Sequence, residues 1–297
     1  MNSRDLLRWI LVPAKGSTRR HVIPRVASGV TVPRVLHQVF FKSPPGPPPT
    51  QILQNIARLR ELNPGWTYRL YDEAAMLQFI GEHYPASILE LFQRIDPVYG
   101  AARADLFRYL LLYRVGGVYL DIKSSLTSPL DVVIAPGDRY LLSHWRNRAG
   151  QEFEGWGIYQ ELGNAPPGEL QQWHIVAAPG HPFLRAVIAR VLRNLALYNP
   201  ALDGTGWAGV LRMTGPIAYT QAIRPILPRY AHRMVDSLHD LGFQYSIYPH
   251  SSGHQNLFSA HYASRNEPIV QLTSSDLAAT RRILKLRAAM AQFGLSP

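Results

Sequence analysis

The chain has 297 residues, of which 46% are apolar, which is enough for one large domain or two small ones with a sizeable core and excludes wholesale disorder. It contains no cysteine, so disulfides, thiol catalysis and cysteine-bound zinc are excluded. The formal net charge of +11 predicts an acidic partner, and nucleotide phosphates, nucleic acid or an anionic membrane surface would each satisfy it.

Residues 1–30 are predicted to form an N-terminal extension rich in arginine and serine. Its short apolar stretch lacks the cleavage pattern of a secretory signal, and no apolar run in the chain is long enough to span a bilayer. Because a chain without cysteine also fits a reducing compartment, we expect a cytoplasmic location. The apolar stretch is expected to dock on the domain, with peripheral contact at the inner membrane face as the alternative.

Strands and helices alternate along the first half of the chain, which predicts an α/β domain with a largely parallel sheet. The proline-rich residues 42–49 can form neither a helix nor a central strand and are predicted to be a loop. The predicted elements are a strand over 32–41, a helix over 51–62, a strand over 66–71, a helix from Asp72 as its cap to about 80, a helix over 101–114, a strand over 118–120 and a strand near 140–143. Ligands of such sheets bind beyond the carboxyl ends of the strands, where Phe40 and Asp121 lie.

The segment 99–125 carries the strongest signal. A helix rich in Ala, Leu and Arg precedes a glycine stop at Gly116-Gly117 and a short strand of buried character. If helix and strand are antiparallel, Asp105 lies roughly 15 Å from the turn along the helix. Asp121 lies roughly 13 Å from the same turn along the strand. The spacing therefore predicts that the two aspartates lie at similar depth.

Two basic residues are predicted to join these acids. Arg108 follows Asp105 by one helical turn on nearly the same face. Asp121 and Lys123 are predicted to share one face of the strand, because side chains alternate with period two. The pattern predicts two acids and two bases at one rim, an arrangement suited to an anionic, sugar-bearing ligand.

The second half of the chain is less regular. The predicted elements there are a strand over 172–178, a helix over 181–197, a helix opening at Met213–Pro216 with Thr214 as its cap, edge strands over 245–248 and 269–272, and a basic amphipathic helix over 274–293. The apolar side of that last helix is predicted to comprise Leu277, Ile283, Leu284, Leu286 and Met290. Packing on the domain is the expected role of this helix, and membrane contact is the alternative. The predicted organisation is an extension over 1–30, a catalytic domain over 31–272 and the helix within 273–297.

Five segments occur in an order that resembles a known family: VPRVLHQVFF, LNPGWTYRLYDE, AARADLFRYLLLYRVGGVYLDIK, VAAPGHPFL and MTGP. Together, over roughly residues 31–265, they resemble the glycosyltransferase family that includes initiating α-1,6-mannosyltransferases of yeast and bacterial capsule-type sugar transferases. The resemblance implies a GT-A fold, with a Rossmann-like, mostly parallel sheet flanked by helices. It also implies a nucleotide-sugar donor, a divalent cation and retention of anomeric configuration.

The resemblance also implies roles for individual residues. Asp105 and Arg108 match the pair that holds the hydroxyls of the donor sugar, and Asp121 matches the first Asp of an Asp-x-Asp motif. These three form the expected catalytic set. The expected donor-binding residues are Phe40, at a position where relatives often carry a base-stacking Trp, with His37, Arg103, Tyr119 and Lys123. The expected metal ligands are Asp121 and His261, with His254 as a competitor of the latter.

Lys123 departs from the family pattern, because the motif reads Asp121-Ile122-Lys123 where relatives have a second Asp. Asp121 and the diphosphate oxygens could still hold Mn²⁺ or Mg²⁺, since such cations often use only one or two protein carboxylates. Alternatively, Lys123 faces the diphosphate and supplies part of the charge of the cation. A third alternative is that Lys123 faces solvent and that Asp121 and a later residue hold the metal. We favour retained use of a metal.

The expected function is transfer of a sugar from a UDP- or GDP-sugar to a hydroxyl of a glycan or lipid-linked acceptor, with retention. No residue is an evident nucleophile, so we expect transfer on the front face without a stable glycosyl-enzyme. A nucleotide-sugar-binding pseudoenzyme is an alternative that Lys123 suggests. A nucleic-acid-binding protein is a further alternative suggested by the charge, but no recognition motif supports it, so no nucleic-acid partner is expected.

Overall fold

A computed structural model of the chain describes residues 22–40, 46–248 and 266–292. The strands are β1 (Val35–Val39), β2 (Thr67–Tyr71), β3 (Gly117–Leu120), β4 (Ser125–Leu126), β5 (Tyr140–Leu142), β6 (His174–Ala177), β7 (Arg233–Met234) and β8 (Phe243–Gln244). The helices are α1 (Thr50–Leu62), α2 (Glu73–His83), α3 (Ala86–Gln93), α4 (Gly100–Val115), α5 (Leu130–Val133), α6 (Pro182–Ala196), α7 (Pro200–Asp203), α8 (Gly206–Met213), α9 (Pro216–Ile223) and α10 (Ser274–Gln292). Short 3₁₀ turns cover Gln160–Leu162 and Arg224–Arg229.

Six of these strands form one mixed sheet in the order β2-β1-β3-β6-β5-β7. β1 is parallel to both β2 and β3, and β5 is parallel to β7, whereas β6 is antiparallel to its neighbours β3 and β5. β4 and β8 form a separate antiparallel pair. The observed architecture confirms the predicted fold class, an α/β domain with a mostly parallel sheet flanked by helices. It also aligns the carboxyl ends of β1 and β3 at one edge.

Helix α4 lies at the centre of the main hydrophobic core. Eleven of its sixteen residues are buried, including the charged residues Arg103, Asp105 and Arg108. Its apolar residues pack against α2, α6 and α8 in a cluster that also takes in Ile23, near the end of the predicted extension. Because a helix surrounded by protein has no solvent face, its polar side chains must find partners inside the fold.

The turn between α4 and β3 depends on two glycines. Gly116 has a φ of 67° and Gly117 a φ of 108°, values that side-chain-bearing residues rarely adopt. A Cβ at Gly117 would also lie 2.6 Å from the carbonyl oxygen of Val35 on the neighbouring strand. Glycine at both positions therefore allows β3 to lie against β1 immediately after the helix, which brings the polar residues of α4 near the end of β3.

Most predicted elements are confirmed to within a few residues, and the Asp72 carboxylate caps α2 by accepting a hydrogen bond from the Ala75 amide at 2.8 Å. The predicted strand over 245–248 is wrong, because the strand of that region is β8 at Phe243–Gln244. The region 269–272 holds a single bridge, between Val270 and Ile95, instead of a strand.

The predicted apolar side of α10 is also wrong. Ile283 is buried, whereas Leu277, Leu284 and Leu286 are 45%, 53% and 38% exposed. The position of α7 decides which side of α10 is buried, because Ile283 packs against Leu202 of α7. Leu277 and Leu284 lie on another side of the helix. No helix in the described ranges is long and apolar enough to cross a membrane.

Candidate functional site

Arg108 joins the two aspartates at the carboxyl ends of β1 and β3. Its Nη2 lies 2.9 Å from Asp105 Oδ1, and its Nη1 lies 3.0 Å from Asp121 Oδ1. The predicted gathering of Asp105, Arg108 and Asp121 is therefore confirmed as a geometric arrangement. We call these three residues, with Tyr119, the acid–base cluster. Two carboxylates share one guanidinium, so the group carries one net negative charge before Lys123 is counted.

Asp105 is the inner end of the cluster and is 3% exposed. Thr214 Oγ1 donates a hydrogen bond to its Oδ2 at 2.8 Å, and Gln172 Nε2 donates one to its Oδ1 at 3.2 Å. Burial raises the pKa of the Asp105 carboxyl, and the Arg108 charge opposes that rise. Because both oxygens already have partners, Asp105 is arranged to hold Arg108 in place.

Arg108 is equally buried but is surrounded by acceptors. Its Nη1 donates to the Gln172 carbonyl at 2.8 Å, and its guanidinium carbon lies 4.5 Å from the centre of the Tyr119 ring. Burial by itself would lower the pKa of Arg108, but Asp121, Tyr119 and Asp105 together raise it above its ordinary value. The guanidinium is therefore a fixed, permanently charged group.

Asp121 is the outer end of the cluster, and its side chain is 25% exposed. The Tyr119 hydroxyl donates to its Oδ1 at 3.1 Å, and Gln38 Nε2 donates to its backbone carbonyl at 3.1 Å. The first contact orients the carboxylate and the second holds the backbone of Asp121, while the side chain can still be reached from outside. Of the three charged members of the cluster, Asp121 is thus the one placed to touch a ligand.

Lys123 follows Asp121 in a turn and not in a strand, because β3 ends at Leu120 and the Ser124 amide donates to the Asp121 carbonyl at 2.8 Å. The prediction that strand alternation aligns Asp121 with Lys123 is therefore wrong. Lys123 is 8% exposed, and its Nζ lies 3.8 Å from the centre of the Tyr245 ring. Burial lowers the pKa of Lys123 to about 8, although Asp121 partly opposes that shift.

Three of the expected donor-binding residues are not part of the acid–base cluster and make other contacts within the fold. Phe40 is buried beyond the end of β1, in a small apolar cluster with residues of α1 and Ile122. His37 bonds within the fold through both ring nitrogens, to the Gly116 carbonyl at 3.1 Å and the Tyr71 hydroxyl at 3.1 Å. Burial lowers the pKa of His37 to about 4. Arg103 is ion-paired with Glu73 and donates to the Ile95 carbonyl. Their donor-binding roles stay predictions.

Several members of the site were not predicted from the sequence. Gln172 and Thr214 hold Asp105, Gln38 holds the Asp121 backbone, and Tyr245 lies under the Lys123 ammonium. Thr214 belongs to the quoted segment MTGP, but it caps no helix there: α9 begins after Gly215, and the Thr214 hydroxyl bonds to Asp105 instead. The only sequence signal for Thr214 was its place in MTGP, one of the five segments that carry the family resemblance. No sequence signal identified Gln172.

The donor groups around Asp121 do not fit a divalent cation held by the protein. No group of three or more His, Cys, Asp or Glu side chains that could hold a metal occurs among residues 22–40, 46–248 and 266–292. Asp121 Oδ1 is already engaged by a guanidinium and a hydroxyl, and the second motif position carries a lysine, so these residues supply a single carboxylate. His254 and His261 lie outside the described residues, so a metal role for His261 stays a prediction.

The sheet and the polar cluster beyond its strand ends define an α/β ligand-binding domain of the kind in which nucleotides bind. Residues 49–140 match the family described as "Glycosyltransferase sugar-binding region containing DXD motif". The matched region is about a third of the chain, and it includes the whole acid–base cluster and Lys123. The match confirms the resemblance recognised from the sequence, and the sheet described above confirms the predicted α/β class.

Curated relatives agree with this assignment. An initiation-specific alpha-1,6-mannosyltransferase of Schizosaccharomyces pombe is 26% identical over 62% of this chain and 47% of its own length. Inositol phosphoceramide mannosyltransferase 1 of the same yeast is 24% identical over 57% of this chain and 44% of its own. The chain thus spans less than half the length of these relatives. A solved structure titled PaToxG Glycosyltransferase is 16% identical, covers 87% of this chain and 88% of its own, and has a TM-score of 0.47.

Proposed function

We propose that the chain is a retaining glycosyltransferase that moves a sugar from a nucleotide-sugar to a hydroxyl of a glycan or glycolipid. The observation that carries this proposal is the acid–base cluster itself, which lies within the family's sugar-binding region and beyond the ends of β1 and β3. The mannosyltransferase names of the relatives make a mannosyl donor the first candidate. UDP- and GDP-sugars are both chemically compatible with the site.

The proposed mechanism uses the cluster to orient the donor. Asp121 accepts hydrogen bonds from hydroxyls of the donor, while Asp105 keeps Arg108, and through it Asp121, in one position. The acceptor oxygen bonds to the anomeric carbon as the bond to the diphosphate breaks on the same face. The acceptor proton passes to the departing diphosphate oxygen. Positive charge near the diphosphate stabilises the charge that develops there.

A donor screen tests this proposal. The full chain is mixed with UDP- and GDP-sugars, with EDTA or with Mn²⁺, and the melting temperature and release of nucleoside diphosphate are measured. We expect one donor to raise the melting temperature and to be hydrolysed slowly, releasing sugar of unchanged anomeric configuration by NMR. Absence of binding to every donor would contradict the proposal. Binding without turnover on any acceptor would favour the pseudoenzyme alternative.

We further propose that the acceptor is presented at an anionic lipid surface. Leu277 and Leu284 are seven residues apart and lie on one side of α10, exposed and next to Arg281 and Lys285. Exposed leucines flanked by cations are typical of helices that lie on anionic membranes. Two relatives are named for mannosylation of phosphoinositol ceramides, which are lipids. A cytoplasmic site facing the inner membrane leaflet stays a prediction.

Vesicle sedimentation tests the lipid proposal. Replacing both Leu277 and Leu284 by Asp is expected to reduce binding to vesicles containing phosphatidylserine at least about tenfold, because apolar burial and attraction to the anionic surface are both weakened. Leu53→Asp on α1, where Leu53 is 48% exposed, is the matched control and should bind as the unmodified chain does. Equal loss in both variants, or no loss in the double variant, would contradict the proposal.

A further inference from the structure

The Lys123 ammonium is buried and has no anionic partner. The side chain is 8% exposed, and among the described residues no carboxylate lies within ion-pair distance of Nζ. Nζ lies 3.8 Å from the centre of the Tyr245 ring, which packs against Trp145 and Trp173. An aromatic face compensates a buried charge only in part, so the site favours binding of an anion.

The use of lysine here stands out against the composition of the chain. Only four of its 31 Lys and Arg residues are lysines, and within the described residues the other one, Lys285, is on the exposed face of α10. A compact ammonium can approach an oxygen anion as a point charge, which the wide guanidinium does less well. Of the two lysines that the structure describes, the buried one thus lies in the turn directly after Asp121.

One oxygen of the neighbouring carboxylate, Asp121 Oδ1, is already engaged by protein groups. Asp121 is held by Arg108 at 3.0 Å and by the Tyr119 hydroxyl at 3.1 Å. A divalent cation placed beside it would face the Arg108 guanidinium and the Lys123 ammonium, both of which repel it. Lys123 therefore supplies positive charge at this rim from a side chain, next to the partly exposed Asp121 carboxylate.

We propose that the Lys123 ammonium replaces the divalent cation and holds the diphosphate of the donor, so that donor binding needs no metal. This inference rests on the proposed function, because it concerns the same donor site. As the bond between the anomeric carbon and the diphosphate breaks, the leaving group gains negative charge next to Nζ. The acceptor proton goes to the diphosphate oxygen, and Lys123 keeps its own protons throughout.

Calorimetric titration of UDP and GDP tests the inference without relying on activity. Unmodified chain, Lys123→Met, Lys123→Asp and the surface control Lys285→Met are each titrated in EDTA and in Mn²⁺. We expect the unmodified chain and the control to bind the preferred nucleotide in EDTA, with less than about a threefold change on adding Mn²⁺. Lys123→Met should lose at least about tenfold in affinity, because a charge-assisted contact to the diphosphate is removed. Lys123→Asp should bind only when Mn²⁺ is present.

The outcomes separate this inference from the proposed function. Binding of the unmodified chain only in Mn²⁺ would overturn the inference and leave the proposed function standing. Equal affinity of Lys123→Met and the unmodified chain would also overturn the inference alone. No binding under either condition would overturn both. Circular dichroism checks that the Lys123 variants fold. If they do not, the affinities of the unmodified chain in EDTA and in Mn²⁺ still test whether nucleotide binding needs a metal.

Discussion

Arg108→Met is expected to lower the free energy of unfolding by about 3–5 kcal/mol, because it leaves the carboxylate of Asp105 buried without a compensating charge. The Arg108 and Asp105 side chains are each 4% exposed, so water cannot replace the lost partner. Chemical denaturation followed by circular dichroism measures the change. Arg185→Met on α6 is the matched control, since Arg185 is exposed on a helix, and it should change stability by less than about 1 kcal/mol.

The loss of stability in Arg108→Met should also depend on pH. The pKa of Asp105 is already raised by burial, and removing Arg108 takes away the charge that opposes that rise. When the native pKa of an acid lies above its unfolded pKa, the native state keeps a proton that the unfolded state has released, so stability falls as pH rises through that range. The free energy of unfolding of the variant should therefore be closer to that of the unmodified chain at pH 5 than at pH 8. Equal losses in Arg108→Met and Arg185→Met would show that the ion pair contributes little.

Asp121→Asn is expected to reduce sugar transfer or donor hydrolysis at least about a hundredfold while the melting temperature changes by less than about 4 °C. The two effects separate because the Asp121 side chain is 25% exposed and lies at the outer end of the cluster. An amide keeps the shape of the side chain but removes the negative charge that pairs with Arg108. It also replaces one of the two oxygens that could accept hydrogen bonds from hydroxyls of the donor. Steady-state turnover at saturating donor is the measurement.

Asp131→Asn is the matched control for Asp121→Asn. Asp131 is also a carboxylate ion-paired with one arginine, Arg34 at 3.1 Å, but it is exposed, and Arg34 precedes the start of β1 whereas the cluster lies beyond the ends of β1 and β3. Its turnover should equal that of the unmodified chain. Full activity of Asp121→Asn would rule out the role assigned to Asp121, whereas a large fall in the melting temperature would indicate a structural role instead.

The helix–turn–strand unit from α4 to β3 was predicted from sequence with little error. Helical periodicity, two glycines and a β-branched strand lie within one short segment, so local preferences determine the unit. The depth argument for Asp105 and Asp121 succeeded for the same reason, since one tight turn fixes the register of helix and strand. The predicted strand over residues 245–248, which has no such turn to set its position, was wrong.

The partners of the site could not be predicted in this way. Thr214 is 109 residues from Asp105 and Gln172 is 67 residues from it, and both contacts require β6 to pair with β3 and α9 to pack near α4. The faces of α10 show the same limit: its apolar residues are evident in the sequence, but the position of α7 decides that Ile283 is buried and Leu277 and Leu284 are exposed.

The sequence by itself thus determined the α/β class, the central unit and the three charged residues of the acid–base cluster, because those depend on periodicity and on a turn of two glycines. Only the tertiary structure decided that Asp105 is an inner support, that Asp121 is the outer contact, and that Lys123 is a buried cation facing Tyr245. Burial and charge environment arise from segments that are distant along the chain, and their approach is set by packing of the whole core.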